Sequence, residues 1–331
     1  MSSGLIAWIG GYYFKKSYAR DRGFEVEYFP MAEPAVFTWE DIVARCGREP
    51  DYVLYTDRSF PPPLLGVERF PCPTAIYAVD SHIHSWLPLY AQGFDLALVS
   101  LRDHLPFFRR RLDHDHVVWF PPFPIRDERP PEQPVHPEWD LLFAGTVNPE
   151  TTPERHAFLR ELKARLPNLE VRRGEFSELF PRARVVLNIA ERGDLNFRVF
   201  EALATRSCLV TPRVGHGLDR LFRDGEHLAT YDPADMDGLV DIICELLADE
   251  PRRRALAEAG YAEVNARHRP EHRAAALFDA LDALGLAEVD KRLAVADHVH
   301  ARYLKLVYLH WAEALGDTPL GRRYLHAAIG R

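Results

Sequence analysis

The chain has 331 residues and a formal net charge of −8, with 47% hydrophobic and 27% charged residues. This composition is that of an ordinary globular protein of one to three domains. The acidic balance disfavours a nucleic-acid partner, because nucleic-acid-binding proteins normally carry a basic surface. No apolar run in the sequence approaches the length of a membrane span, so no transmembrane segment is predicted.

The cysteines and the first residues indicate a cytoplasmic protein. Cys46, Cys72, Cys208 and Cys244 are widely spaced and form no C-x-x-C pair, which favours buried reduced thiols. The apolar run at 5–9 has no basic segment before it. It is therefore predicted to be a first strand rather than a signal peptide.

The first part of the chain alternates short apolar runs with helical segments. Strands are predicted at residues 5–9, 24–29, 52–55, 74–79, 96–99 and 117–120. Helices are predicted at 15–22 and at 39–46, where Thr38 and Asp41 have the spacing of a capping box. Strands that alternate with helices pair in parallel, so a doubly wound α/β sheet is expected.

Residues 121–137 are rich in proline and charge and are predicted to be an interdomain linker. A second series follows, with strands predicted at 140–145, 169–172, 185–189 and 208–211 and helices at 152–166, 196–204, 233–248, 251–267 and 270–284. We therefore expect an N-terminal domain at 1–136, a C-terminal domain at 137–285 and a helical extension at 286–331. The extension is predicted to pack as one helix-turn-helix unit or to contact a protein partner.

The loop between the strand at 185–189 and the helix at 196–204 is the first candidate site. Open α/β sheets bind ligands where the carboxyl end of a strand leads into a helix. The N–H groups and dipole of the helix N-terminus attract phosphate. Glu201 lies farther along this helix, where its carboxylate can accept hydrogen bonds from sugar hydroxyls.

Many separated positions of this region form an ordered motif: Asn188, Asp194, Leu195, Asn196, Arg198, Phe200, Glu201, Ala202, Leu209, Val210, Thr211, Gly217, Leu218, Leu221, Phe222, 224–227, Tyr231, 256–260, Val264, His268 and Arg273. This motif resembles the CgeB-like (spore-maturation type) family of group 1 glycosyltransferases. The resemblance covers roughly residues 138–283 and is loose before them.

The resemblance implies a GT-B fold, in which two Rossmann-like parallel-sheet domains face a cleft. It implies a transferase that moves a sugar from a nucleotide-diphosphate sugar to a hydroxyl of a protein or glycan acceptor. No cofactor and no obligatory metal are expected, because helix N-termini and cationic side chains stabilise the leaving diphosphate. The donor-binding residues implied for this chain are Gly145, Arg155, Asp194, Leu195, Asn196, Arg198 and Glu201.

Arg155 and Arg198 could each have a structural role instead of binding phosphate. Arg155 follows the glycine loop that begins at Gly145, and its guanidinium suits phosphate oxygens. Alternatively it is a surface arginine in a helical ion pair. Arg198 either contacts phosphate or forms a salt bridge to Glu191, Asp194 or Glu201 that orders the loop.

Three polar residues around the helix start have similar alternatives. Glu201 is expected to bind the ribose of the donor rather than to be a solvated helix residue. Asn196 is expected to hold the diphosphate, to cap the helix, or both. His227 either closes the nucleotide site or caps its own turn. Relatives carry a glutamate eight residues before Glu201, where this chain has Gly193.

The acceptor side is expected in the N-terminal domain. Asp80 and His82 follow the strand at 74–79, where either could act as general base on an acceptor hydroxyl. His82 could instead bind the donor sugar or have a purely structural role. Gly10 and Gly11 would let the backbone approach donor or acceptor closely.

Two other functions are possible from the sequence. One is a metal-dependent hydrolase that uses His82, His84, His114 and His116 as ligands. The other is a non-catalytic assembly protein that binds nucleotide sugars. This function remains an alternative because the chain has Gly193 where relatives have a glutamate.

Overall fold

A computed structural model describes residues 4–11, 13–133 and 135–330, so positions 1–3, 12, 134 and 331 lie outside it. The described chain forms two units. The first comprises the residues up to Pro121 together with those from Ala274 onward, and the second is Pro122–Arg273.

The first unit is built on a six-stranded sheet in the order β2-β1-β3-β4-β5-β6. All its pairs are parallel, with Trp8 of β1 lying opposite Tyr28 of β2 and Leu54 of β3. The central strands are almost completely buried, as expected for a parallel sheet that is covered on both faces. The strands are β1 (Gly4–Gly10), β2 (Phe24–Pro30), β3 (Tyr52–Thr56), β4 (Thr74–Ala78), β5 (Leu96–Val99) and β6 (Val117–Trp119).

Four α-helices connect these strands: α1 (Lys16–Asp21), α2 (Trp39–Cys46), α3 (Leu87–Tyr90) and α4 (Leu105–Phe108). Short 3₁₀ turns occur at Val67–Arg69, Ala91–Gly93 and Arg102–His104. The predicted capping box of α2 is confirmed, because Asp41 N donates to Thr38 Oγ1 and Thr38 N donates to Asp41 Oδ2. Gly47 ends α2 in the left-handed conformation, where glycine costs least.

The second unit has a five-stranded parallel sheet in the order β11-β10-β9-β7-β8. Its strands are β7 (Trp139–Ala144), β8 (Leu169–Arg172), β9 (Ala183–Leu187), β10 (Leu209–Pro212) and β11 (Ala229–Tyr231). Its helices are α5 (Pro153–Arg165), α6 (Phe176–Leu179), α7 (Phe197–Ala204), α8 (Leu218–Leu221), α9 (Met236–Ala248) and α10 (Glu250–Arg267), with a 3₁₀ turn at Phe180–Arg182.

In each sheet the strand order reverses at the first strand. In each unit the second strand lies outside the first, and the third strand lies on the first strand's other side. Loops that leave the first and third strands therefore diverge and open a crevice at the carboxyl edge, where doubly wound proteins bind ligands. The relevant loops follow β1 and β3 in the first unit and β7 and β9 in the second.

The remaining helices are α11 (Pro270–Asp282), α12 (Leu286–Ala294), α13 (Ala296–Val299), α14 (Lys305–Leu315) and α15 (Pro319–Ala328), with a π-helical segment at His300–Leu304. Their buried side chains Val299, Leu304, Tyr308 and Tyr324 belong to the same apolar core as Ile9, Tyr55 and Tyr90. The C-terminal extension is therefore an integral part of the first unit.

One buried ion pair attaches this extension to the sheet. Arg292 of α12 is fully buried, and its Nε lies 2.8 Å from Oδ1 of Asp95, which is 2% exposed. The guanidinium also donates to the carbonyl oxygens of Val67, Phe70 and Cys72. Each of the three guanidinium nitrogens has a partner, which is what makes the burial of this charge tolerable.

These units differ from the boundaries predicted from the sequence. The segment from Pro122 groups with the second unit, and the second boundary falls inside α11 rather than after residue 285. Arg269 explains part of the first difference, because its Nη1 donates to the carbonyl oxygen of Glu128 and ties this proline-rich segment to the second unit. In the described part of the chain, no helix has the length and apolar character needed to cross a membrane.

Replacing Arg292 by methionine should destabilise the first unit. The change leaves the buried Asp95 carboxylate without its cation, and breaking a buried pair in this way costs about 3–5 kcal/mol. Urea unfolding would measure the free energy of unfolding. Lys291→Met is the control, because Lys291 is the exposed neighbour of Arg292. Equal unfolding free energies for the two variants would contradict the structural role of Arg292.

Candidate functional site

The strongest candidate site lies at the carboxyl edge of the second sheet. β7 ends at Ala144 and is followed by Gly145, while β9 ends at Leu187 and is followed by Asn188. The loop from β9 reaches the N-terminus of α7, where Asn196 is the N-cap residue. The structure thus brings together Gly145, Asn188, Asn196 and the two candidate arginines.

Two guanidinium groups lie against the ring of Phe143, the penultimate residue of β7. The guanidinium carbon of Arg198 is 5.3 Å from the ring centroid, and that of Arg155 is 5.8 Å from it. A side chain at Gly145 would begin 3.2 Å from Nη2 of Arg198, so the glycine leaves room for that guanidinium. The site therefore concentrates positive charge at the edge of an apolar core.

Arg155 already binds the carboxylate of Glu191. Its backbone N donates to Oε1 of Glu191 at 3.0 Å, and its Nη2 donates to Oε2 of the same carboxylate at 2.8 Å. Nη1 donates to the carbonyl oxygen of Thr146. Arg155 is thus neither a purely solvated arginine nor a member of an ion pair within its own helix.

Arg198 is held by Asn188 rather than by the acidic residues that the sequence suggested. Its Nη1 donates to Oδ1 of Asn188 at 3.2 Å, and Asn188 in turn donates to Oγ1 of Thr211. Burial lowers the pKa of Arg198, partly offset by the nearby carboxylate of Glu201. Its Nε is buried and has no hydrogen-bond partner within the described ranges, so the group retains an unused donor.

The three residues before α7 have different surroundings. Asn196 occupies the predicted N-cap position, but its side chain makes no cap hydrogen bond and donates instead to the carbonyl oxygen of Ile189. Its Oδ1 is buried and accepts no hydrogen bond from any residue that the structure describes. Leu195 is buried and anchors the loop, whereas Asp194 is half-buried.

Glu201 is a buried carboxyl group and not a solvated helix residue. It is 8% exposed. Burial raises its pKa to about 7, and the carboxylate of Glu128 adds to this shift, while Arg198 and Arg126 oppose it. A carboxyl group with such a shift, close to a cationic pair, is typical of functional sites.

Gly193 stands at the position where relatives have a glutamate, and its backbone explains the departure. Its φ is +72°, a left-handed conformation that glycine adopts far more readily than glutamate does. A glutamate at this position would be strained unless the loop took another path.

Sequence reasoning missed Glu128 as a site residue and mentioned Glu191 only as a partner of Arg198. Glu128 is 6% exposed, and its Oε2 has no hydrogen-bond partner among the residues described. It lies in the proline-rich segment that was predicted to be a linker. The only signal was a short charged run at 126–129 between proline residues.

His227 caps its own turn, which was the second of the two predicted roles. Its Nδ1 accepts a hydrogen bond from the backbone N of Arg223, and the residue is 6% exposed. The turn at 224–227 is thereby fixed on the second sheet.

In the first unit, Gly10 lies at the carboxyl edge as predicted. Its φ is +94°, and a Cβ there would lie 2.1 Å from the carbonyl oxygen of Thr56. Only glycine allows this close approach of β1 to β3. Gly11 continues the contact by donating its N–H to the same oxygen.

Asp80 is joined at this edge by Asp57, which sequence reasoning did not single out. The backbone N of Asp80 donates to Oδ2 of Asp57 at 2.9 Å, and the hydroxyl of Ser59 donates to Oδ2 of Asp80. Burial raises the pKa of Asp57 to about 6, and the nearby Asp80 adds to this shift. His82 is half-buried in the turn that follows Asp80.

The four histidines of the hydrolase hypothesis do not form a metal site. His116 contacts Asp113 at 2.6 Å and Glu288 at 3.5 Å, whereas the ring of His84 lies 5.8 Å from that of Trp86. Across the described residues, no three histidine, cysteine or acidic side chains come together in a group that could hold a metal ion.

A family model described as glycosyl transferase-like matches residues 139–279, from β7 into α11. A search of curated proteins finds no significant match.

Solved structures resemble the chain over most of its length. Sucrose-phosphate synthase from Thermosynechococcus elongatus has a TM-score of 0.59 and 12% identity, over 84% of this chain and 98% of that chain. Anabaena HepE, in complex with UDP and glucose, has a TM-score of 0.58 and 11% identity, over 85% of this chain and 100% of that chain. A glycosyltransferase from Rickettsia africae has a TM-score of 0.57 and 8% identity, over 88% of this chain and 100% of that chain.

At these identities the likeness establishes the fold. The chain has the GT-B fold, with two parallel-sheet α/β units and a helical C-terminal region. The family match and the fold together support a glycosyltransferase.

Glu201 should make the stability of the protein depend on pH. Its pKa rises from the ordinary 4.5 to about 7 on folding, so between these values the folded state holds a proton that the unfolded state has lost. The free energy of unfolding should therefore fall as pH increases through this window. Glu201→Gln, which carries no charge, should be more stable than the unmodified protein at pH 8 by up to about 3 kcal/mol.

Urea unfolding at pH 5 and pH 8 would test this expectation. Glu258→Gln is the control, since Glu258 is an exposed glutamate of the same unit. If Glu201→Gln increased the free energy of unfolding by the same amount at pH 5 and at pH 8, Glu201 would not titrate in this window.

Proposed function

We propose that this protein is a glycosyltransferase that moves a sugar from a nucleoside-diphosphate sugar to a hydroxyl of a protein or glycan acceptor. The observation that carries the proposal is the pair of guanidinium groups on Phe143, beside the N-terminus of α7 and the buried Glu201. We also propose membership of the CgeB-like family, on the motif from Asn188 to Tyr231. A cytoplasmic location is proposed as well, supported by four unpaired cysteines.

The diphosphate would lie between Arg155, Arg198 and the start of α7. The unused Nε of Arg198 can point at phosphate oxygens, and the dipole of α7 favours negative charge at the start of this helix. Arg155 already binds a carboxylate through its backbone N and its guanidinium. A donor phosphate would compete with Glu191 for these groups or share them.

Glu201 would bind the ribose of the donor. Its carboxylate accepts hydrogen bonds when ionised and can also donate one when protonated, so it suits a diol in either state. The neighbouring Arg198 would contact the diphosphate rather than the ribose. The UDP and glucose in the structure of Anabaena HepE support a donor of this class.

The reaction would rest on electrostatic stabilisation of the departing diphosphate. Negative charge develops on the phosphate as the bond to the sugar breaks, and preorganised cationic groups lower the energy of that state. Two guanidinium groups and a helix N-terminus supply this charge, which supports the proposal that no metal or other cofactor is required.

The acceptor would react near the edge formed by Gly10, Gly11, Asp80 and His82. Asp80 is the better candidate for general base, because Asp57 fixes its backbone and Ser59 binds its carboxylate. His82 would bind the acceptor or the donor sugar. The helices of the extension carry exposed Leu306, Leu309, Leu325 and Ile329, which supports a protein contact there.

Nucleotide binding is the direct test of the donor site. Isothermal titration calorimetry with UDP, GDP, dTDP, CDP and ADP, with and without EDTA, should reveal tight binding of one nucleotide that EDTA does not change. Arg198→Ala and Glu201→Gln should each weaken that binding roughly ten- to a hundredfold, the value of one charge-assisted hydrogen bond.

Arg192→Ala is the matched control, since Arg192 is an exposed arginine of the same loop. Failure of all five nucleotides to bind, or binding that requires a divalent metal, would rule out the proposed site as described. Equal affinity of Arg198→Ala and Arg192→Ala for the nucleotide would remove Arg198 from it.

The acceptor-side residues should affect turnover more than donor binding. Asp80→Asn should reduce the release of nucleoside diphosphate from the donor at least roughly a hundredfold, as expected for loss of a general base. His82→Ala should also reduce the release of nucleoside diphosphate. Nucleotide affinity should stay unchanged in both variants, and His114→Ala on an exposed loop serves as the control. Full turnover by Asp80→Asn would exclude Asp80 as the base.

A further inference from the structure

A cavity of about 590 Å³ lies within the first unit, away from its carboxyl-edge residues. The start of α2, the turn from Leu65 to Phe70, His300 and the last helix α15 form its walls. This volume falls in the range of about 300–1,000 Å³ that is typical of small-molecule sites. The matching family model covers residues 139–279 and does not include the residues that line this cavity.

A buried carboxylate with a spare oxygen lines this cavity. Glu68 is 1% exposed, and its Oε1 lies 3.1 Å from Nδ1 of His300. Its Oε2 is buried without a hydrogen-bond partner among the described residues. Such an oxygen costs free energy unless a donor reaches it, so its presence indicates a missing partner.

His300 lies between this carboxylate and the last helix. Its Nδ1 faces Glu68, and its Nε2 lies 3.3 Å from the carbonyl oxygen of Ala328 in α15. An ionised Glu68 and a carbonyl oxygen are both acceptors, so this position favours a ring with a proton on each nitrogen. The carboxylate of Glu68 raises the pKa of His300 accordingly, while burial and Arg69 oppose that shift.

The backbone at His300 is unusual as well. Residues His300–Leu304 form a π-helical turn between α13 and α14. Such turns are rare and occur frequently at functional sites, because they redirect a side chain at some cost in helix stability. Here the turn places the ring of His300 between Glu68 and α15.

The rim of the cavity combines an aromatic face with balanced charges. The ring of Trp39 is half-buried and provides apolar surface, and the buried ring of Phe70 packs against it with centroids 5.4 Å apart. Arg69 is paired with Asp297 at 2.5 Å, and Arg323 is paired with Asp41 at 2.8 Å. Since each arginine is neutralised by its partner, the cavity has no large excess of either charge.

We propose that this cavity is a second sugar-binding site, which holds a neutral oligosaccharide apart from the donor nucleotide. A hydroxyl group both donates and accepts, so it can satisfy the spare oxygen of Glu68 and also accept from Arg69 or Arg323. The ring of Trp39 offers the apolar face that a sugar ring requires. An apolar ligand would leave the spare oxygen of Glu68 unpaired.

Saturation-transfer NMR and calorimetry with maltotriose, cellotriose, mannotriose and chitotriose would test the proposal. At least one of these trisaccharides should bind, and inorganic phosphate should not displace it. Arg323→Ala and Glu68→Gln should each weaken that binding roughly tenfold, the value of one lost hydrogen bond to a charged group.

Arg322→Ala is the matched control, because Arg322 is the exposed neighbour of Arg323 and does not line the cavity. Circular dichroism and the melting temperature would show whether each variant is folded, and Glu68→Gln retains the shape of the side chain. Saturating amounts of the donor nucleotide should leave trisaccharide binding intact.

Three results would overturn the proposal. These are binding of none of the four trisaccharides, equal binding by Arg322→Ala and Arg323→Ala, and loss of binding when the nucleotide is added. Nucleotide binding is measured separately, so failure of this second site would leave the proposed transferase function untouched, and the reverse also holds.

Discussion

Every strand pair in both sheets is parallel, and this constraint collects the polar chemistry of each unit at one edge. A parallel strand must return through a crossover, so all carboxyl ends of a sheet meet on the same side. Gly10, Asp57 and Asp80 lie at this edge of the first sheet, and Gly145, Asn188 and Asn196 lie at that of the second. Because both sheets reverse their strand order between the first and third strands, each edge also opens into a crevice.

Buried charges in this protein are of two kinds. Arg292 donates four hydrogen bonds within the first unit, one of them to Asp95, so each guanidinium nitrogen has a partner and its role is to fix the extension. Arg198 and Glu128, in contrast, each retain a buried polar atom without a partner in the described part of the chain. Glu201 has a raised pKa beside them. Incomplete compensation is a cost to stability that a binding site recovers when its ligand arrives.

The order of the secondary structure and much of the donor-side motif could be predicted from the sequence. The capping box at Thr38 and the N-cap position of Asn196 were both correct, because such signals depend on residues a few positions apart. The partners of the charged residues were harder to predict from the sequence. For Arg198 the sequence predicted either a phosphate contact or a salt bridge to an acidic residue nearby, yet the guanidinium donates to Asn188 across the end of a strand. The domain boundaries also differ, since a proline-rich composition does not reveal which unit a segment packs against.

The sequence by itself determined which segments are strands and helices, and it determined the loop that joins β9 to α7. Local periodicity and capping encode these features, and both are carried by neighbouring residues. The tertiary structure decided the order of the strands, the burial of Glu128 and Glu201, and the attachment of the extension through Arg292 and Asp95. These two residues are 197 positions apart in the sequence. Burial and charge pairing depend on such distant partners, and no local pattern specifies them.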